Sequence, residues 1–209
     1  MPLSATSYAL LGLLSLRPWT TYELAQQARR SLRWFFPRAE RHLYTEAKRL
    51  AETGLAAAEV GYQGRRRTRT YTITPAGRRA LQRWLAEPPA PTVLESEALL
   101  RTFFADAGSR DDLVASLEVT RAQAAEALDE LGAMARQTLA GEADFLERIP
   151  VNALSLRLGL DFYRTVESWA SWAAEEVAAW HDAHGGGWEG ARAVFEDAAG
   201  TPSAKRSAR

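Results

Sequence analysis

EVGYQGRRRTRTYTITPAG, residues 59–77, holds two strand-like runs around an arginine-rich turn and then the opening of a helix. The first run is read as Leu55–Tyr62 and the second as Thr68–Thr74, with residues 63–67 turning between them. The second run alternates, with Tyr71 and Ile73 on one face and Thr70, Thr72 and Thr74 on the other, as a half-buried strand does. Thr74-Pro75 is a hydroxyl cap followed by proline at the first helical position, so a helix starts there and carries Leu81, Trp84 and Leu85 to about Glu87. Four arginines, Arg65, Arg66, Arg67 and Arg69, crowd the turn, and Glu59 is the one acidic residue of the stretch. Such crowding is unfavourable unless an anion relieves it, and phosphate is the natural anion.

Upstream lie three helical segments. Leu3–Leu16 has a broad apolar surface with Ser4 or Thr6 as cap, and Arg17-Pro18 ends it. Thr20 or Thr21 caps a second helix, about Tyr22–Ala28. A third runs from about Arg38 to Thr53, with Gly54 as its stop. Helix, helix, helix, hairpin, helix is the order of a winged helix-turn-helix. At about 100° per residue, the third helix gathers Leu43, Ala47 and Leu50 on one side. Arg38, Arg41, His42, Tyr44, Thr45, Lys48 and Arg49 fall on the other. Apolar contacts behind with donors and an aromatic in front are what a major-groove helix needs. Base preference is expected from this helix, and backbone contacts from the hairpin, with Thr21 and Tyr22 of the second helix added to the contact set.

The totals set limits on this reading. The chain has 209 residues, 46 % of them hydrophobic, and no cysteine, so disulfides and thiolate metal sites are excluded. No apolar run approaches about 18 residues, and no basic region precedes the apolar N-terminal stretch. A cytoplasmic protein without a membrane span is therefore expected. The net charge of zero hides an asymmetry: residues 1–90 hold 15 Lys and Arg against 6 Asp and Glu, and residues 91–209 hold 11 against 20. The front half suits a polyanion and the rear half repels one. Pro88-Pro89-Ala90-Pro91 marks the change of sign as a stiff linker. The expected division is 1–87, a DNA-binding winged helix; 88–93, linker; 94–184, a helical dimerisation and effector domain; and 185–209, a tail with a short helix at about Ala191–Ala199.

Several stretches of the front half together resemble the PadR family of bacterial transcriptional regulators. They are Ala9-Leu10-Leu11-Gly12-Leu13-Leu14, Thr21-Tyr22-Glu23-Leu24, Leu43-Tyr44 with Arg49-Leu50 and Gly54-Leu55, and Arg69-x-Tyr71-x-Ile73-Thr74-Pro75-Ala76-Gly77. The resemblance implies a mainly α fold, a winged helix followed by a helical dimerisation domain, as in the longer members of the family. It also implies that Tyr44, Thr45 and Lys48 lie on the groove-facing surface. Arg41-His42 stands where many relatives have Gly-Thr, so an operator sequence does not carry over.

The rear half reads as long helices: Leu94–Asp106, about Ser109–Ala140, and Val151 to about His181. Leu113, Leu117, Leu128 and Leu131 recur at helical spacing in the second, and Leu158, Phe162, Trp169, Trp172 and Trp180 form a stripe in the third. Leu113, Leu117, Leu128, Leu131, Leu158, Phe162, Trp169 and Trp180 are read as the seam of a homodimer. Trp169 and Trp172 also suit the wall of a pocket for a small aromatic effector, since PadR-like proteins commonly respond to small molecules, phenolic acids among them. His181 and His184 stand near Asp182 at a helix end with no further placed ligand, so neither metal nor cofactor is expected. No phosphate loop or nucleophile motif points to an enzyme. The reading is a ligand-responsive homodimeric repressor that binds double-stranded operator DNA. A protein-interaction adaptor, and a ligand sensor whose DNA contact is vestigial, are the other readings weighed.

Overall fold

The computed structural model describes residues 3–64 and 66–200, without the side chains of residues 38–41, 63 and 66. The chain divides into two compact units, Met1–Thr92 and Val93–Arg209.

The first unit runs α1 (Ala5–Leu14), β1 (Trp19–Thr20), α2 (Thr21–Ser31), α3 (Arg38–Glu52), β2 (Ala56–Gln63), β3 (Arg66–Ile73) and α4 (Pro75–Ala86). Helix α1 is apolar on most sides because it is surrounded: Leu10, Leu11 and Leu14 are buried, and α2, α3, β3 and α4 all touch it. Ser4 caps it in a reciprocal box with Ser7. Thr20 and Glu23 form the same box on α2, and Arg17 adds an ion pair to Glu23 at 3.2 Å.

The three strands are antiparallel in the order β1-β3-β2. Two details differ from the sequence reading. Strand β1 is too short to show a period; it exists because Trp19 pairs with Tyr71 and Thr20 with Thr70. Trp19 is buried, and its indole N–H donates to the Leu13 carbonyl at 2.7 Å. The hairpin turn is also tighter than expected, since Gln63 pairs with Arg66 and Tyr62 with Arg67. Arg66 and Arg67 thus belong to the strand, where each ladder bond fixes a further residue.

The joints on either side of the hairpin are closely specified. Gly54 has φ +73°, and the Leu55 N–H returns to the Leu50 carbonyl while the Gly54 N–H returns to Ala51. That is a left-handed helix stop that favours glycine. Thr74 Oγ1 donates to the Gly54 carbonyl at 2.7 Å and accepts the Gly77 N–H at 3.1 Å, tying the end of α3 to the start of α4. A Cβ on Gly77 would lie 2.1 Å from the Leu55 carbonyl oxygen, so only glycine permits this approach.

The second unit contains α5 (Glu97–Phe103), a 3-10 turn at Ala105–Ala107, α6 (Arg110–Leu139), α7 (Ile149–Ala178) and α8 (Gly187–Ala198). Helix α5 is shorter than the segment read from sequence because Ser96 caps it, accepting the Leu99 N–H, and a 3-10 turn takes over beyond Phe104. Helix α7 begins before Pro150, whose missing N–H has no helical partner to give up in a first turn. Helices α6 and α7 are antiparallel: Arg110, at the start of α6, donates to the Trp180 carbonyl just past the end of α7 at 3.1 Å. Buried residues of this pair are Leu117, Ala124, Ala127 and Leu131 of α6, with Leu131 over Gly159, and Ala170, Ala173, Ala174 and Val177 of α7, and the small side chains let the helices approach closely. No helix among the described residues is long and apolar enough to cross a membrane.

Candidate nucleic-acid interface

Helix α3 is held from one side. Leu43, Ala47 and Leu50 are fully buried, and α1 is the element that α3 chiefly meets. Burying each leucine contributes about 1.5–3 kcal/mol. Their positions turn His42, Tyr44, Thr45 and Lys48 outward, all exposed. Tyr44 is 59 % exposed, and the Lys48 ammonium has a loose partner in Glu52 at 3.5 Å. The backbone of α3 carries Arg38 and Arg41 in its first turn, but their side chains lie outside the described residues.

Arg49 departs from the expected outward set. Its Nε and Nη2 fork onto Glu46, with Nη2 to Oε1 at 2.7 Å, and Nη2 also reaches the Ser7 hydroxyl at 2.8 Å. Glu46 is buried, and the Ser7 hydroxyl donates to its Oε1. A helical wheel places Arg49 near the cationic face but does not show that an inward carboxylate captures it. The guanidinium is therefore turned along the α1 side rather than toward solvent.

Burial pushes the Glu46 carboxyl up. Hydrogen bonds from Arg49 and Ser7, with the Arg49 charge, outweigh burial and hold the group below the usual carboxylate range. The same hydrogen bond, donated to Glu46, raises Arg49 further. A breach in this cluster would leave a buried charge unpaired, the strongly destabilising case for such pairs.

Helix α2 and the wing meet beside α3. The Thr21 hydroxyl donates to the Arg69 carbonyl at 3.2 Å, so the start of α2 is bonded to the wing strand. Tyr22 is exposed, and its hydroxyl accepts from Gln26 at 2.9 Å. Along β3, residues 67, 69, 71 and 73 share one face. Tyr71 and Ile73 are buried on it, while Arg67 and Arg69, farther out, are exposed. The face that docks on the helices near its base thus becomes cationic where it outruns them. Val60 stands opposite Arg69 and Tyr62 opposite Arg67, both exposed. Sequence reasoning misses Tyr62 because an aromatic next to a turn reads as strand filler; its pairing register supplies the signal. Arg65, and the side chain of Arg66, lie outside the described residues.

The second unit redistributes the residues expected in a dimer seam. Leu113, Leu117 and Leu131 are buried within the subunit, the first two against Ala173, Ala174 and Val177 of α7 and the third over Gly159. Leu128 is half-buried, and Trp169 and Trp180 pack on the same internal cluster. Leu113, Leu117, Leu131, Trp169 and Trp180 thus serve to join α6 to α7. Leu158 and Phe162 are exposed, 68 % and 42 %, and with Val151 and Leu154 they make a narrow apolar stripe on the N-terminal half of α7. Trp172 is also exposed, and with Trp169, Arg164, Thr165 and Ser168 it borders an open hollow of about 490 Å³ along α7.

The depressed Glu46 carboxyl fixes the sign of an acid response. Its contribution is fully present above the unfolded carboxylate value of about 4.3 and is lost as pH falls through its lower folded value. In urea titrations, the stability gap between wild type and Glu46→Gln is expected to stay constant from neutral pH down to about 4.3 and to shrink below it. A gap that widens in acid would mean that the carboxylate is not favoured by its partners.

Comparison with known proteins agrees with this architecture. Residues 10–83 match the Transcriptional regulator PadR-like family, and residues 95–178 match the family described as Virulence activator alpha C-term. The Negative transcriptional regulator PadR of Bacillus subtilis is 28 % identical over 107 residues, covering 50 % of this chain and 59 % of that protein. The matched stretch thus spans little more than half of that relative's length. The crystal structure of Bacillus subtilis PadR in complex with operator DNA superposes with a TM-score of 0.72 at 22 % identity, covering 85 % of this chain and 99 % of that one. Its complex with p-coumaric acid gives 0.62 at 21 % identity, covering 84 % and 99 %. At these identities the superpositions establish the fold, and the two consecutive family matches establish kinship. Residues 10–83 carry a PadR-like transcriptional regulator domain and residues 95–178 a Virulence activator alpha C-term domain, a layout that fits the longer PadR type.

Proposed function

We propose that the chain is a DNA-binding transcriptional regulator that acts as a homodimer in the cytoplasm, a repressor released by a small aromatic effector. Residues 1–87 serve as the reading module and 94–184 as the dimerisation and effector module. The observation that carries the reading is the outward face of α3: Tyr44, Thr45, Lys48 and His42 are exposed on a helix whose opposite side is buried. A helix about 10–12 Å across fits a major groove about 12 Å wide. Arg67 and Arg69 on the wing, together with Arg65 and Arg66, supply charge for the flanking phosphates, and Tyr62 adds a flat face beside them. Thr21 and Tyr22 contact the backbone from the start of α2, while Arg38 and Arg41 add cations at the start of α3. Arg49 is left out of the contact set because Glu46 and Ser7 hold it. The PadR relative solved with operator DNA supports DNA as the partner.

Selection of genomic fragments by the purified protein tests the function directly, since enrichment of no sequence would sink it. On an enriched site, Arg67→Ala with Arg69→Ala is expected to reduce the salt slope by about 1.8, near 0.9 for each phosphate left unneutralised, with the ranking of sites unchanged. Tyr44→Ala or Lys48→Ala is expected to change the ranking.

The dimer is assigned to the exposed stripe Val151, Leu154, Leu158 and Phe162 rather than to the leucines already buried between α6 and α7. Such a stripe, three to four residues apart, matches a helix–helix seam. Leu154→Lys with Leu158→Lys is expected to sediment as a monomer with unchanged helix content, and to bind its operator at least about tenfold more weakly as two half-sites uncouple. A double variant that remains dimeric would place the seam elsewhere.

The effector is assigned to the hollow beside Trp169 and Trp172. One helix supplies every lining residue, so the site holds a flat ring against indole with Arg164 near enough in sequence to meet a carboxylate. The relative solved with p-coumaric acid supports this ligand class. Titration with hydroxycinnamic acids is expected to quench tryptophan emission in the wild type and much less in Trp172→Leu; no quenching across the panel would remove the pocket.

A further inference from the structure

We infer that Ser7, Glu46 and Arg49 form a polar clamp that sets the rotation of α3 about its own axis, making Ser7 and Glu46 positioning residues for sequence discrimination. The inference rests on the DNA-binding reading above. Apolar docking fixes which side of α3 is inside, but Leu43, Ala47 and Leu50 are buried through non-directional contacts that tolerate small rotations. Directional bonds do not. Glu46 follows Tyr44 and precedes Lys48 by two positions, about 200° around the helix from each. With Glu46 inward, both reading residues point outward.

The Ser7 hydroxyl has one proton and two lone pairs, and all are engaged. It donates to Glu46 Oε1 and accepts the Ser4 N–H at 2.9 Å and Arg49 Nη2 at 2.8 Å. It is 0 % exposed, so no water substitutes for a missing partner. Arg49 then binds both oxygens of Glu46, which locks the carboxylate plane. Ser7 belongs to the capping box of α1, so the anchor is itself fixed to a helix end and not to a mobile loop. The clamp therefore couples the first turn of α1 to the middle of the reading helix. Its arginine commits Nε and Nη2 to Glu46 and Ser7, consistent with a role in orientation more than in affinity.

Buried ion pairs replaced by apolar residues of similar volume commonly leave stability unchanged or raise it. That separates orientation from folding. The test compares Glu46→Leu/Arg49→Met and Ser7→Ala with wild type, each as the full chain, on the enriched operator and on an unrelated duplex of equal length at one salt concentration, with a salt series on the unrelated duplex. The expected result for Glu46→Leu/Arg49→Met is a melting temperature at or above that of wild type. Its operator-to-unrelated affinity ratio is expected to fall about tenfold, the size of one base-edge interaction, with the salt slope on the unrelated duplex unchanged. Ser7→Ala, which keeps the Glu46–Arg49 pair, is expected to lower the ratio in the same sense. Variants that fold and keep the wild-type ratio would overturn the clamp and leave the DNA-binding reading intact. A wild-type protein with no operator preference would overturn that reading, and the clamp's role with it. If the double variant does not fold, Ser7→Ala alone decides by the same ratio.

Discussion

A helix that reads DNA must be anchored by the side it hides, and the anchor of α3 is narrow. Among its described residues, the buried apolar contribution is two leucines and an alanine, all docked at its back. Everything else on the first unit's working surface follows from how firmly that strip is seated. If α3 rolled by one residue's worth, about 100°, Tyr44 and Lys48 would leave the outer face together. The leucines set the seat, and Glu46, with Ser7 and Arg49, adds the directional bonds that a hydrocarbon strip lacks. A buried carboxylate in so small a domain carries a desolvation penalty, and its presence at this position is most simply explained by the orientation it imposes.

Much of the first unit is legible in the sequence because its signals are local. Thr74-Pro75 and Gly54 mark helix ends through backbone chemistry that operates within a few residues. The alternation of Tyr71 and Ile73 with threonines sets the inner face of β3 without reference to any partner. What stays hidden depends on distant residues. Strand β1 is two residues long and exists only because Trp19 and Thr20 find β3. Arg49 looks like one more cation on an exposed face, since its capture needs Ser7, 42 positions earlier, and an inward Glu46. A wheel sorts residues by angle, but it does not show which borderline polar group is drawn inward.

The second unit shows the same limit in another form. Periodicity identifies apolar faces on the two long helices but does not say how many partners they serve. Helix α6 uses its leucines on α7, and α7 answers with alanines, so the large side chains of α7 are divided between the interior and the surface. Trp169 and Trp180 turn toward the internal cluster, whereas Leu158 and Phe162 stay outside. One stripe in sequence is therefore two surfaces in space. The inner one holds the pair of helices together, and the outer one needs a further partner to be removed from water. Removing apolar surface at about 25 cal/mol per Å² gives such a stripe a strong preference for being covered.

The joints around the wing explain why α3 and the hairpin form one body. Thr74 bonds the Gly54 carbonyl at the end of α3 and the Gly77 N–H at the start of α4. Thr21 bonds the Arg69 carbonyl from the start of α2. The wing is thereby tied to three helices up to the Arg69 backbone, and the exposed side chains of Arg67 and Arg69 project from there. Gly77 is what lets α4 come close enough for the first of these ties, because any side chain there would meet the Leu55 carbonyl. A hairpin tied in this way to α2, α3 and α4 holds its exposed arginines in a fixed relation to the outward face of α3.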